Sequence, residues 1–382
     1  MPTSKSSRAR KTSTVYFAPA AAADRRGPLR AIETLFRKVA AKDTIAKGDY
    51  VAIKLHFGEE ENVRYIRPTF IRRLADLVKD AGGMPFATDT LTLYKRKRHN
   101  LFGHLEIAAE HGFTRESLGC PVLIADGLRS SGVEVPVPDP LELDSCVVAQ
   151  AIHDADVLIN IAHLTLHDEF PLAAALKNIG MGCVARETKL RSHGTGVHPN
   201  FDAGKCVLCG HCLRMCPGDA FTLKRRKIHF DPALCVSCGD CFAWCEGGAL
   251  DIPWGAESQI VQRRTCDAAR GVLSTFAPEK IVHFVIAMDI TPLCDCMGAS
   301  GLPIVPDIGI FASTDLLAAD MAALDALQAA PAYPGSRVHG TPGGQPGGDK
   351  IAEVSPRLDL DAYRDILAHS RLGNLRYKLK QV

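Results

Sequence analysis

The segment that most constrains this chain is a duplicated cysteine pattern. It runs Cys206-x2-Cys209-x2-Cys212-x3-Cys216 and then Cys235-x2-Cys238-x2-Cys241-x3-Cys245. The surrounding residues repeat as well: GKCVLCGHCLRMCPGDAFTL and ALCVSCGDCFAWCEGGALDI are one unit written twice, 29 residues apart. So short a unit cannot bury an apolar face alone, and its twin must supply the other half of a small core. Residues 199–252 therefore read as a module of their own, with eight of the 14 cysteines inside it.

Three thiolates two residues apart can wrap one corner of an iron–sulfur cubane, and the fourth ligand comes from the partner motif. This is the bacterial-ferredoxin spacing. Cys206, Cys209, Cys212 and Cys245 are the expected ligands of one 4Fe-4S cluster. Cys235, Cys238, Cys241 and Cys216 are those of the other. The competing reading is two zinc sites, but zinc usually takes paired CxxC units with a longer spacer. Pro217 follows the first motif and Glu246 the second, and neither is a ligand. Two clusters this close make a one-electron wire, which implies a redox protein as donor or acceptor.

The N-terminal MPTSKSSRARKTS is basic and Ser-rich with no apolar stretch. It reads as a disordered tail over residues 1–13 and not as a secretory signal. The expected location is the cytoplasm, where reducing conditions make dense cysteine a sign of metal or redox chemistry. The net charge of +2 gives no field for nucleic acid. The longest apolar run, residues 281–290, includes His283 and Asp289. It falls far short of the roughly 20 residues a membrane span needs.

Outside the module, strand-like and helix-like segments alternate. TVYFAP, YVAIKLHF, MPFATDT, CPVLIADG, ADVLINIAHL, KIVHFVIAMDI and PIVPDIGIFA are strand candidates. PLRAIETLFRKVA, PTFIRRLADLVKDAG, DPLELDSCVVAQAIHDA, PLAAALKNIG, STDLLAADMAALDALQ and LDAYRDILAHSRLG are helix candidates. Pro68 fits a first turn, and Ser313 or Thr314 a cap. The fold class is α/β: parallel-sheet portions over 14–198 and 253–382, with a small α+β ferredoxin-like module inserted between them.

In a parallel sheet the strand C-terminal ends converge on the binding crevice. Candidates there are Lys54 and His56, which alternate along one strand, then His163, His167, Lys177, Asn178, His193, His198 and Asp307. Cys294-Asp295-Cys296 follows a strand and can chelate a soft metal or form a redox pair. Cys120, Cys146, Cys183 and Cys266 are isolated and read as buried hydrophobes. Gly180 to Ala185 matches GxGxxA but follows a helix, the wrong context for a dinucleotide fingerprint. No P-loop, HExxH or GxSxG is present.

IKLHFGE, HLTLHDEFPLAAALKNIGMG, the double cysteine motif, DITPLCDCMG and PIVPDIGIFASTDLLAADMAALD together resemble the uncharacterised iron–sulfur centre protein family of bacteria and archaea. There a ferredoxin module accompanies a domain of unknown function. The resemblance picks out Lys54 and His56, Lys177 and Asn178, Cys294 to Cys296, and Asp307. Residues 313–317 depart from the family's usual stretch. The α/β portion is also distantly similar to the lactate racemase fold, which binds a nickel-pincer cofactor through lysine and histidines.

Three functions follow as expectations. The first is a ferredoxin-linked oxidoreductase, with Lys54, His56 and Lys177 binding an anionic small-molecule substrate or donating protons in the crevice. The second is a non-catalytic carrier or subunit docked to a redox partner. The third is a metal- or cofactor-handling protein, in which the clusters sense redox state and Cys294 and Cys296 carry a further metal or unknown cofactor as cargo.

Overall fold

A computed structural model of the chain describes residues 12–20, 27–40, 44–194, 198–235, 239–243, 245–251 and 255–382. Residues 1–11 of the expected tail lie outside these, and Ser13 already opens a strand.

Eight strands form the main sheet. They are β1 (Ser13–Pro19), β2 (Tyr50–Lys54), β3 (Met84–Asp89), β4 (Val122–Ile124), β7 (Val157–His163), β12 (Ile281–Ala287), β13 (Gly309–Ser313) and β14 (Tyr377–Gln381). Their order is β14-β1-β13-β12-β7-β2-β3-β4. Only β13 runs antiparallel to its neighbours. The α/β class is therefore as expected, with one reversed strand making the sheet mixed. β7 and β12 are buried at every position, as central strands covered on both faces must be.

The pleat sorts side chains between two helical layers. Val51, Ile53, Val157 and Ile159 meet the helices Pro28–Val39 and Pro68–Asp80. Ala52, Leu158 and Val285 face the helices Ser258–Ser274 and Leu316–Ala329. Both proline-led helices begin where the sequence places them, since proline has no N–H to lose at a first turn.

Residues 139–155 are not the expected helix. β5 (Gly132–Pro136) and β6 (Ser145–Ala149) pair as an antiparallel hairpin, leaving a helix only at Gln150–His153. The reason lies far downstream, in a distant partner. The Asp267 carboxylate accepts the N–H groups of Leu141, Glu142 and Leu143 and holds that run out of helix. The cap before Leu316 is Asp315, which accepts the Ala318 N–H, while the Ser313 hydroxyl bonds to the Thr14 carbonyl. β2 ends at Lys54, short of His56, and β13 begins only at Gly309. The helices Leu101–Glu110 and Ser258–Ser274 and the strand β14 add to the elements expected from the sequence.

The cysteine-rich insertion follows the helix Arg186–His193 and precedes Ser258–Ser274. It carries β8 (Asn200–Phe201) paired with β11 (Leu250–Asp251), and a hairpin of β9 (Phe221–Lys224) with β10 (Lys227–Phe230). The sequence repeat is a structural one. Asp202 and Asp231, 29 residues apart, cap equivalent turns by accepting the N–H of Gly204 and Ala233. No helix among the described residues is long and apolar enough to cross a membrane.

Asp320 fixes where the helix Ala175–Gly180 starts. It is buried, and its oxygens accept the N–H of Ala175 at 2.8 Å and Leu176 at 2.9 Å. Burial pushes its pKa up to about 7. The folded value exceeds the unfolded one, so this linkage stabilises fully at low pH and is lost as pH rises through about 7. Asp320→Ala should cost about 2–4 kcal/mol by chemical denaturation, from two stranded donors. The cost should be larger at low pH than above neutrality.

Candidate functional site

The C-terminal ends of β2, β3 and β7 open into a cavity of about 570 Å³. Most of the expected polar groups meet there: Lys54, His56, His163, His167, Lys177, Asn178, His193, Cys294 and Cys296 all line it. Two do not. His198 sits beside Phe230 of the insertion. Asp307 is exposed and accepts the Asp289 N–H.

Lys54 has no exposed surface. Its ammonium donates to Asn178 Oδ1 at 2.6 Å and to the Leu55 carbonyl at 2.7 Å, and pairs with Asp89 at 3.1 Å. A lysine has three protons, so all are engaged. Asn178 is equally committed, donating to the Lys54 carbonyl and to Asn160 Oδ1. A Cβ at Gly182 would lie 2.4 Å from Lys54 Nζ, and one at Gly180 would lie 2.4 Å from the Thr265 carbonyl. Close packing thus accounts for both glycines of the GxGxxA match, which lies between two helices.

The histidines differ in state. His56 Nδ1 accepts the Gly58 N–H, and burial with nearby Arg98 holds its pKa well below the usual value. His167 is similar: Nδ1 accepts the Glu169 N–H at 2.9 Å, and burial and Lys177 keep it neutral. In both rings the proton therefore belongs on Nε2. His193 is held neutral by burial, with a pKa of about 4. His163 goes the other way. Burial opposes its charge, but the Asp295 carboxylate 2.7 Å from Nδ1 wins and raises the pKa. Its Nε2 meets the Met288 carbonyl at 2.7 Å.

Lys177 differs from Lys54. Among the described residues its one hydrogen-bond contact is the Cys294 sulfur at 3.7 Å, and burial lowers its pKa to about 8. Cys294 and Cys296 are joined by a disulfide, and a ring nitrogen of His167 lies within 4.8 Å of both sulfurs. Two cavity-wall oxygens, Thr165 Oγ1 and Asp295 Oδ2, are buried without hydrogen-bond partners among the described residues.

Several site residues carried no motif. Asp89 ends β3, and Arg98 bonds to Glu59 at 3.1 Å, to Asp89 at 3.4 Å and to the Tyr94 hydroxyl. Burial pushes the Asp89 carboxyl up, but Lys54 prevails and holds it well below the usual range. Lys189 donates to Thr90 and is lowered to about 8 by burial. The strand-end rule that found Lys54 would also have found Asp89. Nothing local marks Arg98 or Lys189.

In the insertion, Cys206, Cys209, Cys212, Cys241 and Cys245 line one small apolar cavity. The first expected ligand set, Cys206, Cys209, Cys212 and Cys245, is thus together there, with Cys241 of the second set beside it. Backbone N–H groups of Ala220 and Leu250 donate to the sulfurs of Cys216 and Cys245. Cys235 packs against the insertion's core, and Cys238 lies outside the described residues. This cysteine-rich region has the donor chemistry of a metal-cluster site. The isolated Cys120, Cys146, Cys183 and Cys266 are buried as expected, and burial pushes the first three thiols up to about 11, 12 and 12.

The segment Leu93–Lys95 joins cavity and insertion. Leu93 packs into the insertion's core with Cys212 and Cys241. The Tyr94 hydroxyl donates to the Cys296 carbonyl at 3.3 Å, and Lys95 Nζ to the Cys245 carbonyl at 2.8 Å.

Arg98 is 2% exposed and holds two buried carboxylates. Removing one partner of a buried charge network strands the others. Arg98→Ala should lower unfolding free energy by about 3–5 kcal/mol, read by urea denaturation.

No curated protein matches the chain. Its fold is similar to the lactate racemase apoprotein of Thermoanaerobacterium thermosaccharolyticum, with a TM-score of 0.39 and 10% identity. That likeness covers 85% of this chain and 60% of the racemase chain, so this chain spans less than two thirds of that protein. Residues 51–325, well over half of the chain, match a family described as a domain of unknown function. The chain belongs to that family, DUF362.

Proposed function

We propose that residues 199–252 hold two 4Fe-4S clusters and that the chain is a ferredoxin-linked oxidoreductase acting on a ligand in the α/β cavity. One observation carries the coupling: Leu93, Tyr94 and Lys95 touch the cysteine core, the Cys294–Cys296 loop and the Cys245 carbonyl within three consecutive residues. A plain carrier has no need of a cavity lined by lysines and histidines and tied to its cysteines in this way.

The residues fit the clusters. The donors are thiolates, the first expected set shares one apolar cavity, and backbone N–H groups point at two sulfurs. Hydrogen bonds to the sulfurs and solvent exposure set the potential of such centres. Bound clusters supply electrons one at a time. We assign Cys206, Cys209, Cys212 and Cys245 to one cluster and Cys235, Cys238, Cys241 and Cys216 to the other.

The chain's own residues do the rest. Lys177 keeps protons to spare and faces the cavity, so it can bind an anionic group or donate a proton. His56 offers its Nε2 proton there. Lys54, fully engaged, acts by holding Asp89 and Asn178 in place. The exposed side chains of Val207, Leu208, Leu223 and Leu234 on the insertion suit a small redox protein as the external partner. In this reading residues 199–252 are a module between the portions 14–198 and 253–382.

Metal and acid-labile sulfide analysis on anaerobically purified protein tests the reading. It predicts about eight irons and eight sulfides per chain. Cys209→Ser should lower both counts to about four and leave the α/β portion folded. Zinc without sulfide would sink the proposal.

A further inference from the structure

We infer that the Cys294–Cys296 disulfide is a redox-active pair, the cavity's own two-electron centre, which exchanges electrons with a dithiol or disulfide ligand. The inference does not depend on what the cysteine module holds.

The bond has little structural work to do. A disulfide stabilises mainly by closing a loop in the unfolded chain, and its effect grows with loop length. Here the closed loop contains a single intervening residue. The segment is also anchored without it. Asp295 Oδ1 meets His163 Nδ1 at 2.7 Å, Asn62 Nδ2 donates to the Met297 carbonyl at 2.9 Å, and the Tyr94 hydroxyl donates to the Cys296 carbonyl. Breaking the S–S bond leaves each of these in place.

The surroundings suit a thiolate. Lys177 Nζ lies 3.7 Å from Cys294 Sγ, and the Cys296 N–H donates to the same sulfur at 3.3 Å. A cation and an N–H donor beside one sulfur lower the cost of its ionised form. Both cysteines line a cavity of about 570 Å³, so a ligand can reach them.

A metal held by His167, Cys294 and Cys296 is the rival reading, since their ligand atoms gather within 4.8 Å. The tautomer of His167 counts against it. Nδ1 already accepts the Glu169 N–H, so the neutral ring carries its proton on Nε2 and has no free lone pair to offer. The same proton makes His167 a donor near the pair.

The step balances with a dithiol as reductant. One of its thiolates attacks a sulfur of the pair. The Cys294–Cys296 bond breaks, and the other cysteine departs as a thiolate and takes up a proton. The second reductant thiol gives up its proton and closes onto the mixed disulfide, freeing the remaining cysteine as a thiol. The ligand is oxidised by two electrons and the pair is reduced by two. A disulfide ligand runs the same exchange in reverse.

The test uses the full chain, equilibrated anaerobically in buffers of graded reduced-to-oxidised dithiothreitol ratio. Samples are quenched with an alkylating agent, and the peptide holding Cys294 and Cys296 is read by mass spectrometry. The expected result is one transition from unmodified to doubly alkylated, while circular dichroism stays native. Lys177→Met should move that transition about tenfold toward the disulfide, or about 30 mV. Lys177→Arg should restore most of the difference. A pair that stays oxidised until the chain unfolds is structural and overturns the inference. So does a transition identical in wild type and Lys177→Met. Alkylation that appears only after a chelator is added would make the site a metal centre instead.

Discussion

A lysine and an aspartate with almost no exposure face each other at 3.1 Å where β2 and β3 end. Neither charge could be buried alone, since an unpaired buried ion costs several kcal/mol. Each is therefore tied to further groups. Through Asn178, Lys54 fixes the helix that carries Lys177. Through Arg98, Asp89 reaches Glu59 and the Tyr94 hydroxyl, and Tyr94 reaches the loop at Cys296. The cavity walls come from four separate stretches of chain, and this one ion pair links them.

The same pair separates two kinds of lysine in one cavity. Lys54 has three acceptors and is a fixed part of the wall. Lys177 has a sulfur neighbour and protons left over. A residue type shared by the two positions thus says little about role; the count of satisfied protons decides it. The histidines divide likewise. His163 is flanked by a carboxylate and a carbonyl and favours its charge, whereas His56 and His167 accept backbone N–H groups and stay neutral. Backbone geometry within two residues sets the proton's place on His56 and His167.

What was legible in the sequence follows from range. Pro68 announces a helix start through a local rule, and the 29-residue repeat announces the insertion, because both signals are contained in the segments they describe. The strand-end rule brings Lys54, His163 and the Cys294–Cys296 loop to one cavity, because β2, β7 and β12 read as apolar runs. The helical pattern of residues 139–155 is overridden because Asp267, far along the chain, holds Leu141 to Leu143 out of helix. Arg98 was missed for the same reason. Its partners Glu59 and Asp89 lie upstream, and no spacing links them to it. Asp307 and His198 carried the right residue types at plausible places but belong to other neighbourhoods.

The insertion's position in the chain also follows from these contacts. It leaves the α/β portion after Arg186–His193 and returns at Ser258–Ser274, two helices that pack on each other. A module spliced between adjacent helices need not disturb the sheet. Its core then gains Leu93 and Leu190 from the α/β side. Arg186 closes the seam, donating to the carbonyls of Thr92 and His99, and a Cβ at Gly239 would lie 2.7 Å from its Cδ. That glycine also sits at φ +78°, so both space and backbone exclude a larger residue where the second motif turns. The cysteines are thereby held against the cavity wall by covalent entry points, a shared core and a buried arginine. A module meant only to dock and leave would not be fastened at all three.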